Sequence, residues 1–200
     1  MGTNQATVAG EKFANSYHRH LLASSSDSSS NSSSRDNNTS KYYEGVAIFS
    51  SDFTRAKETA SLFAQSLVDS EIPIYNNDIV LETRLRERFF GELNGGSDDQ
   101  YQNVWDVDCM DPNHNKFGVE SANDVLERTT KLITELDDML SLDGGGGGGG
   151  DEKKRWKVVL VAHGDVLQIM QTGFLKHEDA SRHRSLEHLE TATIRELTLL

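Results

Sequence analysis

Three stretches of the chain carry residues whose types and spacing suit work on an anion. The first is Ser50-Ser-Asp-Phe-Thr-Arg-Ala-Lys-Glu-Thr-Ala60, which follows the apolar run Gly45-Val-Ala-Ile-Phe-Ser50. Arg55 stands in the first turn of the helix this segment predicts, where unpaired backbone N–H groups and the helix dipole favour negative charge. Its guanidinium adds a planar fork that matches phosphate geometry. The plainer alternative is a surface arginine on an exposed helix face. The second stretch is Ala162-His163-Gly164-Asp165, read as a tight turn after the strongest strand signal in the chain. Its imidazole can donate to a phosphate oxygen or titrate near neutral pH, and Gly164 removes a side chain where a ligand would approach. A structural histidine bonded to nearby backbone fits the same spacing. The third is Leu85-Arg-Glu-Arg-Phe-Phe-Gly-Glu-Leu-Asn-Gly95. Here Glu87 is a candidate general acid, although Arg86 and Arg88 would depress its pKa unless they point elsewhere or a bound phosphate compensates. A solvated charge run is the alternative.

Other chemistries find little support. No Gly-Lys-Ser/Thr ends the seven-glycine run Gly144–Gly150, so it is no phosphate-binding P-loop. There is no Gly-x-Ser-x-Gly elbow. His177, His183 and His188 lack the compact spacing of a zinc site, and Cys109 is the single cysteine, which excludes a disulfide framework and a thiolate cage. Tyr17-His-Arg-His20 reads as a solvated helix end. Neither a metal nor a cofactor is expected. With 20 basic and 32 acidic residues the net charge is −12, which opposes nonspecific attraction to nucleic acid or anionic lipid. An anionic substrate must then be held by a local cluster of donors. No apolar run approaches the ~18 residues of a membrane span. One lone thiol and no signal-peptide pattern lead to the expectation of a reducing, cytoplasmic setting.

The elements that must position these residues alternate. A helix is predicted over Asn4–Leu22, from Ala6, Ala9, Phe13, Tyr17 and Leu21. Val46–Ser50 reads as a strand buried on both faces, with Ser50, Ser51 and Asp52 as helix caps. A helix follows, with its apolar face at Phe53, Ala56, Ala60, Phe63, Ala64 and Leu67. Pro73 and Asn76-Asn77 interrupt the chain before a short strand at Ile79–Leu81. Glu82–Lys116 is polar and irregular. A capping box at Ser121–Asp124 opens a helix through Leu140. Lys157–Ala162 is a strand, a further helix starts at Val166, and Thr191–Leu199 reads as a last strand. This order argues for an α/β fold, a doubly wound layer structure. Ser24–Ser40 holds 10 serines and no apolar residue. A single domain over 1–200 is expected, with flexible insertions at 24–40 and 143–154.

Taken together and in order, these segments resemble the histidine phosphatase superfamily, the phosphoglycerate-mutase-like proteins. Ser50–Ala60 is similar to that family's Ser-Ser-x-x-x-Arg-Ala-x-x-Thr-Ala stretch, and Leu85–Gly95 to its Leu-Arg-Glu…Gly…Gly segment. Glu120-Ser121 with the helix holding Arg128 resembles its Glu-Ser pair and following arginine, and Val158–Gly164 the strand that ends in its second active-site histidine. The resemblance implies a three-layer αβα fold with a mainly parallel sheet. It also implies phosphoryl transfer through a phosphohistidine, either hydrolysis of a small phosphomonoester or a mutase reaction. On it, Arg55 and Gly164 hold phosphate, Glu87 protonates the leaving oxygen, and His163 stabilises the transferring group. No metal is implied. The alternative is a catalytically inactive protein that binds a phospholigand or a partner.

One part of the pattern has no counterpart. The family's nucleophile lies in Arg-His-Gly at the end of its first strand, and the sequence contains no Arg-His-Gly. Arg19-His20-Leu21 ends a helix and is not led by an apolar strand. Gly2-Thr-Asn-Gln-Ala6 resembles the start of the family's first helix, so an N-terminally truncated chain is expected. The same reasoning predicts that Val46–Ser50 and Val158–Ala162 each lack a neighbouring strand, with poor folding or association as the consequence.

Overall fold

The computed structural model describes residues 2–26, 43–142, 155–175 and 179–198. The elements run α1 (Gly2–Ser26), β1 (Gly45–Ser50), α2 (Thr54–Asp69), β2 (Ile74–Leu81), α3 (Gln102–Asp108), α4 (Ala122–Leu142), β3 (Trp156–Val161) and α5 (Gly164–Thr172). Of the two expected insertions, Ser24–Ser26 instead continue α1, while 27–40 and 143–154 lie outside the described residues.

Alternation along β1 sets the layers. All six residues of this strand are buried. Val46 and Ile48 point to one face and pack with Ala14 and Tyr17 of α1 and with Ala60, Phe63 and Leu67 of α2. Ala47 and Phe49 point to the other, against Leu132, Leu136 and Leu140 of α4. Helices on both faces of a parallel sheet make the three-layer αβα architecture. In α4 the buried positions Val125, Thr129, Leu132, Leu136 and Leu140 fall three or four apart. Its start is the expected capping box: the Asp124 amide donates to Ser121 Oγ at 3.0 Å, and the Ser121 amide to Asp124 Oδ2 at 3.3 Å.

The strand order is β2-β1-β3, all parallel. β1 therefore has a neighbour on each side, which corrects the expectation that Val46–Ser50 lacks one. β3 takes up six register positions directly beside it, from Gly45↔Trp156 to Ser50↔Val161. The outer edge of β3 has no strand partner among the described residues, and Val158 is 38% exposed there. β2 is longer than the Ile79–Leu81 strand expected from the sequence, since it starts at Ile74. Asn76 and Asn77 adopt left-handed φ of 53° and 55° and form an irregularity inside the strand, where Val46 pairs Ile74 but Ile48 pairs Ile79.

Two further expectations fail. Residues 191–198 form no strand. Their β-branched content meets no sheet edge, and side-chain contacts hold the segment instead: Arg195 donates to Gln171 Oε1 at 2.6 Å, and Lys157 pairs with Glu196 at 2.9 Å. The Glu82–Lys116 region is less irregular than its composition suggests, since it contains α3 and several single helical turns. Among the described residues no helix is long and apolar enough to cross a membrane.

Candidate active site

Three parallel strands end side by side, and their carboxyl ends deliver the site. The Ser51 amide donates to Val161 O at 2.9 Å, and the Glu82 amide to Ser50 O at 2.8 Å, so the exits of β1, β3 and β2 stay in register. Ligands of open α/β sheets bind at such an edge. α2 and α5 begin within four residues of their strands, and neither has a side-chain cap on its N-terminus. Their first-turn N–H groups and dipoles therefore point to the same edge of the sheet.

The structure brings Arg55, Glu87 and His163 together. Arg55 Nε lies 3.0 Å from His163 Nδ1, and its terminal nitrogen lies 3.3 Å from Glu87 Oε2. His163 Nδ1 is 3.8 Å from the same Glu87 oxygen. A guanidinium N–H only donates, so Nδ1 accepts and the ring proton sits on Nε2. Nε2 then donates to Ser51 Oγ at 2.9 Å. The ring edge is also packed by Phe53, with centroids 5.3 Å apart. Burial, then the positive charges of Arg55 and Arg128, lowers the His163 pKa to about 4, with Asp52 pulling weakly the other way. At neutral pH the imidazole is uncharged.

Glu87 is tuned in the opposite sense. Burial, reinforced by the Asp165 carboxylate, raises its pKa to about 7 against the pull of the Arg88 amide, Arg55 and Arg128. Its two sequence neighbours do not neutralise it, because they point elsewhere. Arg86 makes a two-pronged bond to Asp52 at 2.8 and 2.5 Å, and Arg88 turns inward to Asp108. The segment is held from the side by Arg128, which donates to the carbonyls of Arg84 and Arg86 and to both oxygens of Glu120. Glu120 in turn accepts from the Phe89 amide at 3.3 Å and donates its own amide to Phe89 O at 2.8 Å.

An open hollow of about 490 Å³, lined by Asp52, Phe53, Thr54 and Arg55, lies at the start of α2. That is within the range of small-molecule clefts, ~300–1,000 Å³. Gly164 begins α5 directly after His163, not a separate turn, and a methyl group built on it meets nothing within 4 Å. Ser51, Asp52, Phe53 and Arg86 stand beside this cluster; Ser51 and Arg86 fall at fixed positions of the family-like stretches Ser50–Ala60 and Leu85–Gly95, whereas Asp52 and Phe53 carry no spacing signal. Only the position of Asp52 and Phe53 between the strand end and Arg55 could have drawn attention to those two. The remaining described histidines lie elsewhere. His18 bonds Ser70 O, at the far end of α2, ~24 Å along a 16-residue helix. His20 follows in α1, His114 and His183 are buried with Asp108, and His188 lies beyond the Ala180–Ser185 turn. No group of His, Cys, Asp and Glu among the described residues is arranged to hold a metal ion.

Comparison with known proteins agrees with this architecture. A solved structure titled mycobacterial hydrolase 2 superposes with a TM-score of 0.62 at 22% identity, covering 96% of this chain and 66% of that one. The native mycobacterial glucosyl-3-phosphoglycerate phosphatase gives 0.61 at 23%, covering 96% and 74%. Bacillus stearothermophilus YhfR gives 0.56 at 19%, covering 96% and 73%. The chain thus spans about two thirds of the length of the first of these and somewhat more of the others. Among curated proteins no sequence match was found. A family model described as histidine phosphatase superfamily (branch 1) matches residues 39–199, and the chain belongs to that superfamily.

Proposed function

We propose that this chain holds the phosphoryl group of a small phosphorylated substrate between Arg55, the α2 N-terminus and Gly164, and offers Glu87 as the acid for the leaving oxygen. The observation that carries this reading is the Arg55–His163–Glu87 cluster at the carboxyl edge of the sheet, 3.0 and 3.3 Å across its two bonds. A proton donor works best with a pKa near the working pH, and Glu87 at about 7 meets that condition. Neutral His163 accepts from Arg55 Nε and donates to Ser51 Oγ, so it orients the guanidinium without adding a charge of its own, and Arg55 supplies the charge. Positioning and charge stabilisation are the main contributions a protein makes to phosphoryl transfer. Phosphatase relatives support a phosphomonoester as the substrate class.

The full reaction of the family passes through a phosphohistidine, and these 200 residues contain no Arg-His-Gly to supply one. Both ring nitrogens of His163 are engaged by Arg55 and Ser51. This favours binding without turnover for the chain by itself. The test is a titration with inorganic phosphate or vanadate, followed by NMR at His163 and by calorimetry. Saturable binding that perturbs the His163 ring is expected, and a flat titration overturns the proposal. Hydrolysis of p-nitrophenyl phosphate should stay at background. Turnover that disappears in His163→Ala would show that the chain is a competent enzyme as it stands.

A further inference from the structure

Behind Glu87 and His163 lies a buried charge cluster that joins the two segments carrying them. Arg88 follows Glu87 directly, and its guanidinium is fully buried. It donates to Asp108 at 2.7 and 2.8 Å and to the Glu120 carbonyl at 2.7 Å, and it reaches Asp165 Oδ2 at 3.4 Å. Asp165 lies in the first turn of α5, two residues after His163. His183, from the Ala180–Ser185 turn, faces the same two carboxylates. Its Nε2 is 3.5 Å from Asp165 Oδ1 and 3.7 Å from Asp108 Oδ2. His114 meets Asp108 Oδ1 at 2.8 Å. Replacing buried ion clusters with apolar groups is often neutral or stabilising, so stability alone is a weak reason for this one.

We infer that Asp165 is a positioning residue for the acid: its carboxylate ties Arg88 to the start of the helix that carries His163 and stands as a fixed negative charge behind Glu87. The inference rests on the reading of Glu87 as proton donor. Two short chain connections, 87–88 and 163–165, are closed into one ring by the Arg88–Asp165 contact, with the Arg55 bridge between Glu87 and His163 on its outer side. The charge of Asp165 acts in the same direction. After burial it is the largest influence holding the Glu87 proton on. The groups that oppose it are the Arg88 amide, Arg55 from α2 and Arg128 from α4, while the His163 ring is uncharged. Burial pushes the Asp165 carboxyl up, but His183 and Arg88 outweigh it and hold the group below the ordinary carboxylate range. Asp165 is therefore a constant negative neighbour of a titrating one.

The test is a carbon-13 NMR titration of the Glu87 carboxyl in the 200-residue chain, its signal identified by its loss in Glu87→Gln. Asp165→Asn should lower the Glu87 midpoint by about one pH unit. The variant is expected to fold, since its amide oxygen can still accept from Arg88. Should it not fold, Asp165→Ser removes the same charge, admits water, and carries the same expectation. Asp108→Asn is the structural control. It weakens the same Arg88 fork and should cost stability while moving the Glu87 midpoint by less than about 0.3 pH unit. An unmoved midpoint in the Asp165 variant, or equal shifts in both variants, overturns the inference. A midpoint in the ordinary carboxylate range in the unaltered chain overturns instead the assignment of Glu87 as the acid, so the two failures are told apart.

Discussion

Arg55 Nε and His163 Nδ1 meet at 3.0 Å across 108 residues of chain. The contact is built by topology. β1 and β3 are parallel neighbours in unbroken register, and each hands its chain to a helix within four residues of its last paired position. Arg55 uses Nε on the imidazole and a terminal nitrogen on Glu87. Its side chain is 65% exposed and lines the hollow at the start of α2, so an incoming phosphate can reach the guanidinium from solvent.

The first prediction tests that geometry. Arg55→Ala should weaken binding of inorganic phosphate at least about tenfold, ~1.4 kcal/mol. Arg55→Lys should recover only part of it, because an ammonium keeps the charge without the fork. Thermal stability should hardly change in either, given the exposure of the side chain. Calorimetric titration decides the matter, and equal affinities in all three proteins would remove Arg55 from the phosphate site.

The second concerns pH, where Glu87 and His163 bend the stability profile in opposite directions. The folded-state pKa of Glu87 is raised from 4.5 to about 7, so its contribution to stability is complete below about 4.5 and is lost as pH rises toward 7. That of His163 is lowered from 6.5 to about 4, so stability is lost as pH falls through that interval. Between about pH 5 and 6.5 the two slopes, each at most ~1.4 kcal/mol per pH unit, largely cancel. Relative to the unaltered chain, Glu87→Gln should show stability rising with pH in this window, and His163→Asn should show it falling. Denaturant midpoints measured across the window would reveal three parallel curves if the assignment of these shifts were mistaken.

How far these features could be read in advance depended on whether sequence neighbours are also neighbours in space. β1 was legible as a solid apolar run, because a strand covered on both faces is apolar throughout, and β3 carries the same kind of run although its residues are only partly buried. β2 was half legible, since Asn76-Asn77 reads as an interruption but acts as an irregularity within one strand. Residues 191–198 misled because β-branched residues favour a strand only where an edge receives it. Arg55, Glu87 and His163 could be picked out as candidates, but the environment of Glu87 could not. Its flanking arginines suggested a depressed pKa, whereas an extended backbone at Arg86 (φ −57°, ψ 152°) sends them to separate carboxylates. Asp165 and Asp108, the partners that matter most to Arg88, are 77 and 20 residues away from it.

The third prediction concerns the frame around Glu87. Arg128 binds two backbone carbonyls of this segment and both oxygens of Glu120, in a partly buried setting. Arg128→Met removes these donors and strands the Glu120 carboxylate. A loss of about 2 kcal/mol is expected, in line with hydrogen bonds to charged groups. Amide exchange at residues 84–89 should accelerate more than exchange in β1. Uniform acceleration across both regions would mean that Arg128 supports the fold in general and has no local hold on the segment.

The last prediction contrasts two glycines. Gly91 has φ of +55°, and a methyl group built on it would sit 2.0 Å from Phe117 O and 2.5 Å from Gly118 C. Backbone atoms cannot swing aside, so Gly91→Ala combines left-handed strain with a collision between the turns Gly91–Leu93 and Lys116–Gly118. A loss of more than about 2 kcal/mol is expected. Gly164 is the reverse case: its φ is ordinary, it stands at the first position of α5, and its added methyl meets nothing within 4 Å. Gly164→Ala should keep or slightly raise the unfolding temperature, by the ~0.4–1 kcal/mol typical of glycine replaced without strain. The open space there is the space proposed for the phosphate, so the same methyl should lower phosphate affinity several-fold. Measuring both quantities on one sample separates a packing defect from a blocked site. If Gly164→Ala bound phosphate as well as the unaltered chain, the ligand would have to lie against α2 alone, away from the start of α5.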